Sequence, residues 1–118
     1  MIKLLIISTQ PPYVASAAQD ALEAALAASN IGIKVTFVFS QQGLYQLLDS
    51  QNSTSVNKRS IVKQINALPL YDIEDVYYVE EDMTDLMLSN QTLTPTANPI
   101  DTHAFHQLCA VSNAILRF

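Results

Sequence analysis

The stretch from Ile2 to Phe39, IKLLIISTQPPYVASAAQDALEAALAASNIGIKVTFVF, decides the fold class. Its first part, Ile2 to Ser8, is a near-continuous apolar run, which is typical of a strand covered on both faces. Its last part, Ile33 to Phe39, is rich in β-branched and aromatic residues and predicts a second strand. An alanine-rich helical segment separates them, so the stretch predicts a βαβ unit with parallel strands and a right-handed crossover.

The helical segment between these strands carries signals at both ends. Ser16 with Gln19 matches a helix capping box, and Asn30 with Gly32 supplies the usual C-terminal stop. We therefore predict one helix that begins after Ser16 and ends near Asn30.

The remaining chain continues to alternate helical and strand patterns. Asp101 is placed to cap a helix over about 102–112, and residues 89–99 fit either an edge strand or an irregular connection. The other predictions are a short helix in 41–50, a polar loop at 51–57, a helix at 58–68 stopped by Pro69, and strands at 76–79 and 113–118. We expect a three-layer α/β/α fold with about five mostly parallel strands in a flavodoxin-like arrangement, as one domain over residues 1–118.

Composition limits the classes of partner. The chain is 49% hydrophobic and only 14% charged, which suits a subunit that hides part of its surface in an oligomer. Its net charge is −5 and it contains no basic run, so we expect no direct tRNA or other nucleic-acid binding. The first apolar run is too short to cross a membrane, and a single cysteine, Cys109, fits a reducing compartment, so we predict a cytoplasmic protein.

Three features are candidates for chemistry outside the acidic region. The loop STQPPY, Ser8–Tyr13, follows the first strand where a phosphate could bind, but it has no glycine, so Ser8, Thr9 and Tyr13 would instead line a crevice or a partner surface.

Cys109 lies beside the apolar stripe of its predicted helix with no Lys or Arg close in sequence, which favours packing over catalysis. His103 and His106 are one helical turn apart without a third ligand, so we expect no metal and no cofactor.

Seven of the eleven carboxylates lie between Asp72 and Asp85. The apolar run Val76–Val79 leads directly into Glu80, Glu81 and Asp82, at the carboxyl end of a predicted strand, where ligands bind in open α/β sheets. Their spacing matches no metal-binding loop. We interpret them as a helix start favoured by the helix dipole, and as a candidate docking surface for a basic partner.

Four stretches together carry a resemblance to a known family. They are the IIST.PP-like start, GLYQLL at Gly43–Leu48, LYDIE at Leu70–Glu74 and ILRF at Ile115–Phe118. In this order and at these separations, they resemble the DsrF-like branch of the DsrE/DsrF sulfur-relay family. The resemblance implies a three-layer domain around a parallel sheet and a role in persulfide sulfur transfer.

The resemblance also implies partners and the position of the chemistry. It implies TusB-like and TusD-like subunits in a heterohexamer that relays sulfur, through other sulfur carriers, toward 2-thiolation of the tRNA wobble uridine. The carrier of the sister subunit is a cysteine shortly after the third strand. Here that position holds Glu80, Glu81 and Asp82, and no cysteine precedes Leu108, so no sulfur carrier is expected at this site.

Three alternatives stay open at this point. The chain could be a DsrF-like subunit of a sulfur-oxidation complex, which the resemblance fits equally well in architecture. Cys109 could accept sulfur directly. The loop STQPPY could belong to a flavodoxin-like module that binds a small molecule.

Overall fold

The structure is a computed structural model that describes residues 2–12, 16–48, 61–89 and 91–118. Tyr13 and the predicted polar loop at 51–57 lie outside the described residues. The elements, in chain order, are β1 (Lys3–Ser8), α1 (Ala17–Asn30), β2 (Lys34–Phe39), a first 3₁₀ helix (Gln41–Leu47), α2 (Ile61–Asn66), a second 3₁₀ helix (Leu68–Tyr71), β3 (Asp75–Val79), α3 (Glu81–Asp85), β4 (Asn98–Ile100), α4 (Thr102–Val111) and β5 (Ala114–Arg117).

These strands form one five-stranded sheet in the order β4-β3-β2-β1-β5. Every neighbouring pair is parallel. The first four strands are laid down side by side in one direction, and the chain then returns through α4 to place β5 on the free side of β1. The sheet is therefore doubly wound, which confirms the predicted α/β class and the three layers.

The two faces of the sheet are covered unequally. One face carries the larger core, in which Phe37 and Phe39 of β2 lie with ring centroids 4.8 Å apart beneath α1 and α2. The other face carries a small cluster of Leu5, Ile7, Val38 and Val79, against which α4 packs Phe105, Leu108 and Cys109. No side chain of α4 is fully buried, so this second layer covers the sheet only thinly.

The carboxyl end of α1 agrees with the sequence prediction, whereas its amino end does not. The predicted capping box is wrong: the Ser16 side chain makes no cap hydrogen bond and instead donates to Asp20 Oδ2 at 3.0 Å. Gln19 is drawn away because its Nε2 donates to Gln64 Oε1 at 2.8 Å, on the neighbouring helix α2. At the other end, Gly32 has φ +85° and α1 ends at Asn30, as predicted.

The first 3₁₀ helix packs directly against the end of β1. Gly43 approaches so closely that a Cβ atom placed on it would lie 2.0 Å from the Ser8 carbonyl oxygen. Leu44, Gln46 and Leu47 are fully buried beside it. This contact gives a physical reason for glycine in the GLYQLL stretch.

Tertiary contacts determine the structure of two segments, the one predicted as a helix at 58–68 and the one left open at 89–99. Within the described residues the α-helix covers only Ile61–Asn66, and Pro69 lies inside the second 3₁₀ helix rather than ending the first helix. Asn66 Oδ1 accepts hydrogen bonds from the hydroxyls of Thr94 and Thr96, and the Thr94 N–H donates to the Leu47 carbonyl at 2.8 Å. Residues 91–97 are thus an irregular connection held at Thr94, and residues 98 and 99 already belong to the edge strand β4.

We predict that Gly43→Ala lowers the free energy of unfolding by about 3 kcal/mol or more, because the Ser8 backbone has to move. Gly32→Ala is the matched control: nothing lies within 4 Å of its added Cβ, so only the positive φ opposes it. That strain costs about 1 kcal/mol. Urea denaturation of the variants would measure both changes, and equal losses would contradict the close packing of Gly43 on β1.

Candidate functional site at the carboxyl ends of the strands

The acidic residues that follow β3 lie where the carboxyl ends of β2, β3 and β4 meet, because these three strands are parallel neighbours. Asp82, in the first turn of α3, reaches back to the end of β2. Its Oδ2 accepts a hydrogen bond of 2.7 Å from the backbone N–H of Gln41. Gln41 has φ +53°, an unusual value for a residue other than glycine, so the carboxylate holds a strained turn in place.

Glu81 makes a corresponding connection to the other side of β3. Its Oε2 accepts a hydrogen bond of 2.8 Å from the Thr102 hydroxyl, at the start of α4, and the Glu80 N–H donates to the Ile100 carbonyl at 2.9 Å. The carboxylates after β3 therefore connect the ends of three adjacent strands. Their helix position was predicted, whereas their hydrogen bonds to Gln41 and Thr102 were not.

A shallow groove of about 470 Å³ lies beside these carboxylates. Its lining residues are Tyr78, Glu80, Glu81, Met83, Thr84, Ser89 and Pro99. Burial raises the pKa of the Tyr78 hydroxyl above its ordinary value of 10.0, and the neighbouring Glu80 carboxylate raises it further. The groove thus presents carboxylates and a protonated phenol but no thiol, and its charge opposes binding of anionic sulfur species.

The described part of the STQPPY loop, residues 8–12, follows β1 at the point between β1 and β5 where the strand order reverses and where such sheets usually bind ligands. In the described part of this loop, hydrogen bonds join the ends of the two strands. The Thr9 N–H and hydroxyl both donate to the Phe118 carbonyl at 2.8 Å. Ser8 is fully buried, and its hydroxyl accepts a 2.7 Å hydrogen bond from Gln46 Nε2.

Cys109 and the two histidines lie away from this site. Cys109 is partly exposed on α4 and packs against the thinly covered face of the sheet, opposite the face that Met83 and Leu86 pack on. His103 and His106 are exposed on α4. Within residues 2–12, 16–48, 61–89 and 91–118, no group of three His, Cys, Asp or Glu side chains is placed to hold a metal ion.

The contacts of the LYDIE stretch serve mainly to hold the fold together. Asp72 adopts a left-handed conformation, φ +66°, that ends the second 3₁₀ helix. This turn directs Ile73 into full burial, and the Tyr71 carbonyl accepts a 2.7 Å hydrogen bond from the Ser29 hydroxyl on α1. Leu70 is 84% exposed, so packing within the described residues does not explain why this position carries a large apolar side chain.

We predict that Asp82→Ala lowers the free energy of unfolding by about 1 kcal/mol, because the Gln41 N–H loses its acceptor. Asp82→Asn, whose side-chain oxygen can still accept, should retain most of that stability. Asp85→Ala, at the exposed end of α3, controls for the lost negative charge and should change stability by less than about 0.5 kcal/mol. The measurement is urea denaturation, and an equal loss in Asp82→Asn and Asp82→Ala would contradict the bracing role.

Comparison with known proteins agrees with this architecture. The solved structure of the ychN protein from Escherichia coli superposes with a TM-score of 0.87 and 15% identity, and covers all of both chains. A conserved protein of unknown function from Bacteroides thetaiotaomicron superposes with a TM-score of 0.64 and 10% identity, covering 98% of this chain and 94% of its own. At these identities the likeness shows the fold.

Sequence comparison is more specific. Protein TusC from Escherichia coli is 29% identical over 119 aligned residues and covers the whole of both chains. A TusC homolog from Pseudomonas aeruginosa is 28% identical over 105 residues, which are 89% of this chain and 88% of that relative. The family model of the DsrE/DsrF-like proteins matches residues 2–118, and the chain belongs to the DsrE/DsrF-like family.

Proposed function

We propose that this chain is a non-catalytic subunit of a TusBCD-type sulfur-relay complex, which passes persulfide sulfur toward 2-thiolation of the tRNA wobble uridine. Family membership and full-length similarity to TusC support a sulfur-relay role. In this proposal, a TusD-like partner carries the reactive cysteine, and this chain helps to shape the pocket in which that cysteine receives sulfur.

The observation that carries the non-catalytic assignment is the occupation of the carrier position. A persulfide carrier needs a thiolate nucleophile. The residues directly after β3 are Glu80, Glu81 and Asp82, and two of their carboxylates accept hydrogen bonds from Gln41 and Thr102. The position is therefore used to hold neighbouring strand ends together, and its negative charge opposes the approach of an anionic persulfide.

Charge also separates this chain from the tRNA in the proposed complex. Its net charge of −5 opposes contact with phosphates, so partners and other sulfur carriers would mediate the relay. The cytoplasm, a reducing compartment, is the proposed location. No helix among the described residues is long and apolar enough to cross a membrane.

We predict that co-expression with TusB-like and TusD-like chains from the same organism yields a stable complex that contains all three proteins. Native mass spectrometry after affinity capture of one subunit would give its composition and stoichiometry. The control is co-expression with an unrelated α/β protein of similar size. A chain that purifies without either partner under these conditions would contradict the proposed assembly.

A second prediction separates this role from direct sulfur acceptance by Cys109. Cys109→Ser should leave 2-thiouridine levels within about twofold of wild type when it replaces the native gene, because Cys109 lies on the layer opposite to α3. Substitution of the candidate carrier cysteine in the TusD-like partner should abolish thiolation in the same assay. Loss of thiolation in Cys109→Ser, with a normal thermal melt, would favour the sulfur-acceptor alternative.

A further inference from the structure

The β5 edge of the sheet is exposed and apolar. All four residues of β5, Ala114 to Arg117, are exposed, and Ile115 and Leu116 remain 44% and 43% accessible. An open strand edge presents unpaired N–H and C=O groups and serves as a template for pairing with another chain. Folded proteins usually protect such an edge, so its exposure here needs a reason.

The backbone directions along β5 follow from its contacts with β1. The Phe118 N–H donates to the Ile7 carbonyl, and the Phe118 carbonyl accepts from the Thr9 N–H, both at 2.8 Å. Because alternate residues of a parallel strand face the same neighbour, Leu116 also directs its backbone groups toward β1. Ile115 and Arg117 therefore direct their N–H and C=O groups away from the sheet.

The side chains of β5 alternate between the two faces. Leu116 pairs with Ile6 and shares the face covered by α1. Ile115 and Arg117 pair with Leu5 and Ile7, and they share the face covered by α4. The edge thus carries one large exposed apolar side chain on each face, Ile115 on one and Leu116 on the other.

Charge identifies which partner fits this edge. Seven of the eleven carboxylates lie between Asp72 and Asp85, on and around β3, whereas residues 107–118 contain no Asp or Glu and one basic side chain, Arg117. The sheet order places β5 at the edge opposite β4, with β1 and β2 between it and β3. Two copies of a chain with net charge −5 therefore repel each other least when they meet through β5.

We infer that β5 pairs antiparallel with β5 of a second copy, about a twofold axis that passes beside Leu116. Ile115 of each copy then lies opposite Arg117 of the other, and the two residues exchange both of their outward backbone hydrogen bonds. Leu116 faces its own equivalent across the axis, in the closely spaced position between these pairs. This register places no like charges opposite each other, and it joins the two sheets into one.

The other edge of the sheet does not offer the same pairing. β4 has only three residues, and its central residue, Pro99, has no N–H to donate. Asp101 follows directly and adds a negative charge. Self-association through β4 would therefore be opposed by both geometry and charge.

The charge-swap experiment uses the self-facing position of Leu116. Wild-type full-length chain at about 50 µM should be dimeric by light scattering coupled to size exclusion. Leu116→Lys and Leu116→Glu should each weaken the dimer by about 100-fold or more, because two like charges meet across the axis. An equimolar mixture of the two variants should restore a dimer that contains one copy of each.

Matched controls are Leu70→Lys and Leu70→Glu, which make the same charge changes at a residue that is 84% exposed and distant from β5 in the sheet order. Both should remain dimeric. A monomeric wild type at this concentration, persistent dimers in both Leu116 variants, or a mixture that stays monomeric would each overturn the inference.

A cross-linking experiment gives an independent test that does not depend on disrupting the dimer. In a Cys109→Ser background, Leu116→Cys should form a disulfide-linked dimer under mild oxidation, since facing residues at a closely spaced antiparallel position have Cα atoms about 4.5 Å apart. Ala114→Cys would face Phe118 and should cross-link at least about tenfold more slowly. Equal rates would overturn the register. Both experiments use this chain alone, so they can fail while the sulfur-relay proposal stands.

Discussion

The burial of β1 on both faces and along both edges is the constraint on which the rest of the structure depends. Leu5 and Ile6, adjacent in sequence, have no exposed surface, because one points into each side of the sheet. β2 and β5 pair with the two edges of β1. At its carboxyl end, Gly43 packs against the Ser8 carbonyl and Phe118 accepts a hydrogen bond from the Thr9 N–H, so both sides of this strand end are in contact with other parts of the chain.

In the proposed role, the carboxyl end of β3 serves a different purpose in this chain and in its TusD-like partner. A thiol at this position would face a groove that is open to solvent, and the resemblance places the carrier cysteine of the sister subunit there. In this chain Glu81 and Asp82 use the same place to hold the starts of α4 and the first 3₁₀ helix. In the proposed non-catalytic role, these carboxylates have a structural function at a position without a nucleophile, and the groove keeps a negative charge.

Prediction from the sequence succeeded where a pattern acts locally and failed where a distant contact decides. The Asp101 cap was predicted correctly, and its Oδ1 accepts from the Ala104 N–H at 2.7 Å. The Ser16 capping box failed because Gln19 finds Gln64 instead, a partner that lies 45 residues away in the sequence. The structure of the segment 89–99 could not be predicted for the same reason. Thr94 is held by hydrogen bonds to Asn66 and Leu47, and no local pattern predicts those contacts.

The sequence by itself determined the fold class, the position of β1, β2, β3 and β5, the absence of a cysteine before Leu108 and the concentration of acid around β3. These properties follow from periodicity and composition, which act over a few neighbouring residues. Only the tertiary structure decided that Asp82 and Glu81 join separate strand ends, that Thr9 forms a hydrogen bond with Phe118, and that Ile115 and Leu116 stay exposed at the edge of the sheet. Each of these depends on the order of the strands in the sheet, which places residues far apart in the chain next to one another.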